Sequence, residues 1–354
     1  MEVGYWHRLD TDRIQCDLCP RFCHLDEGQR GLCFVRGRKN NRMVLTTYGR
    51  SSGFCVDPIE KKPLYHFLPG TPVLSFGTAG CNLTCKFCQN WDISKSRQMD
   101  TLANQASPRL IADAAVQTHS RSVAYTYNDP VIFLEYAVDT ALACRERSVR
   151  SVAVTAGYIT PKAAERFFSV MDAANVDLKG FSEKFYQKLV GGRLQPVLEI
   201  LEYLKKETSV WLELTTLLIP GHNDSEKELH EMTQWVVDRL GSEVPMHFSA
   251  FHPAWKMSVT PSTPQDLLIK ARQIAIENGV RYAYTGNIVN RQGESTYCHR
   301  CHARLIERER YQLGEWSITP EGCCRSCGSP CAGLFDAQPG RWGNRRVQVK
   351  MPGL

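Results

Sequence analysis

Between residues 73 and 278, short apolar runs alternate with longer stretches in which apolar residues recur every three or four positions. The runs at 73–77, 122–126, 151–155, 174–178, 209–218 and 246–251 have the length and bounding residues of buried strands. Helices are predicted near 107–118, 131–146, 161–171, 182–206, 224–240 and 264–278. Within 131–146, Leu134, Ala137, Val138, Ala141 and Leu142 fall at helical spacing and define one buried face. Strand and helix in regular alternation indicate repeated parallel βα units. The expected fold class is therefore α/β, a partial (βα)6 barrel of TIM-like construction. In such sheets the reacting groups sit on loops at the carboxyl ends of the strands.

The chain has 354 residues, 43% hydrophobic and 23% charged, ordinary proportions that exclude a mainly disordered protein. No apolar run approaches the roughly 18 residues of a membrane span, and the first residues lack a signal peptide's basic-then-apolar layout. A cytoplasmic protein without membrane contact is expected. The 15 cysteines change the picture. In a reducing compartment thiols at this density are metal ligands or catalytic groups more often than bridges. Five precede residue 71, four fall in 71–290 and six follow, while the net charges of these segments are +3, −1 and +4. The expected organisation is an N-terminal Cys-rich module (1–70), a near-neutral barrel (71–290) and a C-terminal Cys-rich module with a basic tail (291–354). Charge excesses this small are typical of a solvated surface, so nucleic acid is not the expected partner.

Directly after the first predicted strand comes Gly80-Cys81-Asn82-Leu83-Thr84-Cys85-Lys86-Phe87-Cys88. Three thiolates on one short loop can hold three irons of a [4Fe–4S] cluster and leave the fourth open to another ligand. A zinc site completed by a remote Cys or His is the alternative. The spacing, the aromatic residue before the last Cys and the place after strand one resemble the radical S-adenosylmethionine (SAM) superfamily. That resemblance implies a [4Fe–4S] cluster whose unique iron binds SAM, reductive cleavage to a 5′-deoxyadenosyl radical, and hydrogen abstraction from a substrate. Segments 123–130, 154–157, 176–180, 218–224 and 251–253 resemble successive strand ends of pyruvate formate-lyase activating enzymes. The front Cys16-Asp-Leu-Cys19-Pro20 and the Cys88-Gln-Asn-Trp91 continuation are similar to the radical SAM enzyme of the AmmeMemoRadiSam system.

By the same resemblance Asn128 and Asp129 stand where the amino group of SAM is received, although Asn-Asp-Pro is also good turn and helix-start chemistry. Asp177, with Thr155, corresponds to a monovalent-cation site beside the cofactor carboxylate. Lys179 is a second means of offsetting that charge, or part of a surface ion pair. His252 matches a histidine near the adenosyl sugar, and Gly157 fits a tight approach to the cofactor. Thr155-Ala156-Gly157 departs from the family's Thr-Asn-Gly and removes one polar contact. No side chain is singled out as catalytic.

Cys16, Cys19, Cys23 and Cys33 supply four thiolates for one tetrahedral zinc or a further Fe–S cluster, and spacing does not choose between them. Cys298-x2-Cys301 and Cys324-x2-Cys327 form a zinc-ribbon pattern around a hairpin predicted at 305–313, with Cys323 and Cys331 as spare candidates. The leading expectation is a radical SAM enzyme similar to the activating enzymes. It would act on a protein or a small molecule, draw electrons from a flavodoxin or ferredoxin, and work with AmmeMemoRadiSam partner proteins if that branch is its own. Radical modification of nucleic acid and a non-catalytic zinc-ribbon interaction protein are the rival readings.

Overall fold

The computed structural model describes residues 1–96 and 104–351. Its main sheet contains β1 (Phe54–Pro58), β2 (Pro72–Phe76), β3 (Ser122–Tyr125), β4 (Arg150–Thr155), β5 (Ala173–Asp177), β6 (Trp211–Leu218), β7 (Met246–Ala250), β8 (Ala283–Gly286) and β9 (Val347–Val349). The spatial order is β8-β7-β6-β5-β4-β3-β2-β1-β9. Strands β2 to β8 are parallel neighbours in chain order. Strand β1 pairs antiparallel with β2, and β9 antiparallel with β1.

Between the parallel strands run α1 (Pro108–Gln117), α2 (Leu134–Arg145), α3 (Pro161–Phe168), α4 (Gln195–Glu207), α5 (Glu226–Leu240) and α6 (Gln265–Glu277). Local chemistry starts them where the sequence indicates. Ser107 and Ser225 accept from the amides of Leu110 and Glu228, and proline opens α1 and α3. In α3, Ala163, Ala164, Phe167 and Phe168 are buried at helical spacing. Burying each large apolar side chain contributes about 1.5–3 kcal/mol, which is what turns weak helix propensity into a fixed layer.

The six predicted strands and six helices are all present, with two differences. Strand β8 adds a seventh parallel strand, because Tyr282, Ala283 and Tyr284 gain partners on β7 that their brief run does not announce. The helix predicted at 182–206 is broken. A short turn at Glu183–Phe185 passes into a π-turn, Tyr186–Val190, and left-handed Gly191 (φ +72°) precedes α4. A Cβ at Gly191 would overlap the hydroxyl of Thr84, so this backbone position requires glycine.

A small antiparallel sheet of Trp6–Arg8, Ile14–Cys16 and His24–Leu25 lies in front, and Thr296–Tyr297, Arg304–Glu309 and Gln312–Trp316 form another behind. The predicted rear hairpin is present and extends to Trp316. Buried Arg308 ties the rear sheet to the barrel by donating to the Tyr65 carbonyl at 2.7 Å. Among the described residues no helix is long and apolar enough to cross a membrane.

Candidate active site

Strand β2 ends at Phe76, and the loop that follows carries the cysteine triplet. The buried side chain of Asn128, from the loop after β3, acts as a splint. Its Oδ1 accepts from the Thr78 amide at 3.1 Å and its Nδ2 donates to the Gly80 carbonyl at 2.9 Å. The broken helix holds the other side of the loop. The amides of Thr84 and Lys86 donate to the carbonyls of Val190 and Leu189 at 3.0 and 2.8 Å. Lys95 completes the support with a 2.7 Å bond to the Leu83 carbonyl. A loop pinned at this many points fixes where the three sulfurs stand.

A cavity of about 290 Å³ opens above the loop, at the carboxyl edge of the parallel strands. Cys81, Cys85 and Cys88 line it together with Asn128, Asp129, Thr155, Asp177 and Lys179. Burial pushes the Cys81 thiol up to about 12, with Asp129 adding to the shift. Burial also raises Cys85, opposed by the Lys179 cation. Such thiols bind a cluster by exchanging protons for iron. Among the described residues three cysteines line this cavity, which suits a cluster that keeps one iron open, so the donor set fits the group this spacing implies.

The acidic residues are already engaged. Asp129 accepts from Thr155 Oγ1 at 2.9 Å, the Val131 amide at 3.1 Å and the Ala156 amide at 3.0 Å. Burial raises its pKa while these donors restrain it. Strand β5 ends at Asp177, which interrupts the alternation of faces and lets Lys179 fold back to Asp177 Oδ2 at 2.9 Å. Burial works against the Lys179 charge, but Asp177 and Cys85 outweigh it and raise the pKa. Gly157 (φ +64°) stands behind the cavity, its amide bonded to Thr155 Oγ1, and a Cβ there would come within 3.1 Å of Val176. His252 is exposed, 3.4 Å from Ser262 Oγ and outside the cavity lining.

A second chamber of about 310 Å³ shares Pro63, Ser249 and Asn287 with the first. Glu60, Tyr65, His247, Glu294 and Arg310 contribute to its walls. Beneath it, buried Glu213 of β6 bonds His247 Nε2 at 2.7 Å and the Tyr65 and His66 amides at 2.9 and 2.8 Å. Sequence reasoning missed both features. Glu213 sits within an otherwise mainly apolar run, and that lone charge inside a parallel strand was the available signal. Asn287 follows β8, the strand without a clear pattern.

The four rear sulfurs of Cys298, Cys301, Cys324 and Cys327 lie within 4.8 Å of one another, with pairs at 3.6 and 3.7 Å. Tetrahedral bonds of about 2.3 Å give such spacing, so the group suits one metal ion. Cys331 instead lies 3.9 Å from His66 and Cys323 is 3.9 Å from the Glu321 carbonyl, which resolves the choice among the rear cysteines. At the front, Cys16 and Cys19 are buried and Cys23 and Cys33 half-buried, all as free thiols.

The Radical SAM superfamily profile matches residues 76–233. The chain is 38% identical over 328 residues to the uncharacterized protein MJ0808 of Methanocaldococcus jannaschii, covering 92% of this chain and 97% of that one. It is 22% identical over 197 residues to the pyruvate formate-lyase 1-activating enzyme of Escherichia coli K12, covering 53% and 77% respectively. A radical SAM methyltransferase structure from Sphaerobacter thermophilus superposes with a TM-score of 0.49 and 15% identity, over 62% of this chain and 67% of that one. From the profile match, and from the three-cysteine loop at the carboxyl edge of a parallel sheet, it follows that the chain carries a radical SAM domain over residues 76–233.

Proposed function

We propose that this protein generates a 5′-deoxyadenosyl radical from SAM in the first cavity and directs it at a substrate held in the adjoining chamber. The observation that carries this reading is the convergence of Cys81, Cys85 and Cys88 on a cavity also lined by Asn128, Asp129, Thr155, Asp177 and Lys179. Cys81, Cys85 and Cys88 would hold a [4Fe–4S] cluster, and that cluster would supply the electron for reductive cleavage of SAM. The chain's own groups then have three tasks. Lys179 offsets carboxylate charge beside the cluster loop, and its ion pair with Asp177 makes it the resident alternative to a monovalent cation. Asn128 keeps the loop in register, while Thr155 and Asp129 lock the adjacent strand ends into one rigid wall. The second chamber, with Glu60, Glu294 and Arg310 on its walls, offers both signs of charge to a small polar substrate or an inserted side chain.

An electron donor of flavodoxin or ferredoxin type would reduce the cluster, and the relationship to the activating enzymes favours hydrogen abstraction as the reaction class. The rear four-cysteine group would hold structural zinc. Anaerobic incubation with dithionite and SAM tests the central point. The intact protein should release 5′-deoxyadenosine and methionine, and a Cys81→Ala/Cys85→Ala/Cys88→Ala variant should release neither. Release by that variant would overturn the reading.

A further inference from the structure

The chain holds three groups of cysteines, and their sulfur spacing divides them. The rear four converge within 4.8 Å, as ligands of one ion must. Among the described residues, neither Cys16, Cys19, Cys23 and Cys33 nor Cys81, Cys85 and Cys88 form such a single-ion group. In lacking a single-ion gathering, the front quartet is like the cluster loop. Thiolates around a cubic cluster each bind a different iron and stand farther apart than four thiolates around one zinc.

The quartet is an ordered site. Cys16 and Cys19 are each 8% exposed, and the Cys16 amide donates to the Cys23 carbonyl at 2.9 Å, closing the knuckle. Wholly buried Arg36 lies near Cys16 and Cys33 and is ion-paired to Glu135, giving the site a fixed cation. The quartet also docks directly on the cluster loop. Left-handed Gly80 lies so close to the Cys33 carbonyl that any Cβ there would overlap it, and Arg21 Nε donates to the Asn82 carbonyl at 2.8 Å. On the other flank Thr160 bonds the carbonyls of Asp17 and Leu18, Oγ1 reaching the former at 2.7 Å and the amide the latter at 3.1 Å. Counting covalent geometry outward from the Gly80 contact, the sulfurs of Cys33 and Cys81 are separated by no more than about 15 Å.

We infer that Cys16, Cys19, Cys23 and Cys33 bind a second, fully ligated [4Fe–4S] cluster, docked against the loop of the first. A closed cluster has no open iron for SAM, so it serves as an electron-carrying neighbour. This assignment does not depend on the reaction proposed above.

The experiment is anaerobic reconstitution of the full chain with iron and sulfide, followed by metal counting and electron paramagnetic resonance. The intact protein should hold about eight irons, the Cys81→Ala/Cys85→Ala/Cys88→Ala variant about four, and a Cys23→Ser/Cys33→Ser variant about four. Dithionite-reduced intact protein should show two interacting signals, and each variant a single signal without the interaction. Because the quartet supports the front fold, circular dichroism of the serine variant checks that it is folded. The triplet variant gives an independent reading, since it leaves the quartet untouched. About four irons in the intact protein, or zinc retained by the quartet in the triplet variant, would overturn the assignment. Failure of SAM cleavage with eight irons present would instead count against the proposed reaction alone.

Discussion

Glu60 is 1% exposed, with one oxygen accepting from the Gly70 amide at 2.7 Å and the other, among the described residues, without a hydrogen-bond partner. Burial pushes its carboxyl up to about 7 from an ordinary 4.5, Arg308 only partly offsetting this. The folded protein therefore keeps a proton that the unfolded chain releases, and this group's contribution to stability declines as pH rises from about 4.5 through 7. Glu60→Gln should raise the melting temperature more at pH 8 than at pH 5, and equal gains at both would show that Glu60 is not held protonated. Asn128 makes a different point. Replacing it with Leu leaves the Thr78 amide and the Gly80 carbonyl unpaired, which should cost about 1–3 kcal/mol in denaturant unfolding. Iron loading at the triplet should fall as well, although no cysteine has changed. The Asn-Asp-Pro turn was visible in the sequence, but its bonding to a loop some fifty residues earlier was not.

At the scale of elements, the site depends on two interruptions of regular structure. The break at Gly191 brings the backbone of residues 189 and 190 to the cysteine loop, where a continuous helix would have spent those carbonyls internally. The Gly191-Gly192 pair was the signal for that break, and helical periodicity on both sides obscured it. At Gly80 the front knuckle meets the same loop. Gly80→Ala adds a Cβ that overlaps the Cys33 carbonyl at φ +84°, combining a conformational penalty of roughly 1–2 kcal/mol with displacement of the knuckle. This variant should lose iron from the triplet while all seven proposed cluster cysteines remain. Undiminished iron content would mean that the knuckle and loop move independently. Strand β6 gives the contrasting case, since its two buried faces were legible as an apolar run. Leu214→Ala there should cost about 2–5 kcal/mol through the cavity it leaves.

Across the whole molecule, strands from both flanks join the barrel sheet, β1 beside β2 and β9 beside β1. The rear module also supplies Glu294 and Arg310 to the second chamber. Cys298→Ser/Cys324→Ser should therefore remove the zinc proposed for the rear four cysteines and lower the melting temperature of the entire protein, measured by metal analysis and calorimetry. A melting curve unchanged in that variant would show that the rear module is an independent appendage. Local chemistry was enough to specify the alternation of strands and helices, the loop that follows the first parallel strand, and the cysteine spacings. Each of these is written within a few residues, by periodicity or by the reach of neighbouring thiolates. Tertiary structure alone decided the seventh parallel strand, the Glu213–His247 pair, the choice of Cys324 and Cys327 over Cys323 and Cys331, and the contact between Cys33 and Gly80. These join residues distant along the chain, and their energies exist only once burial has removed water and brought the partners together.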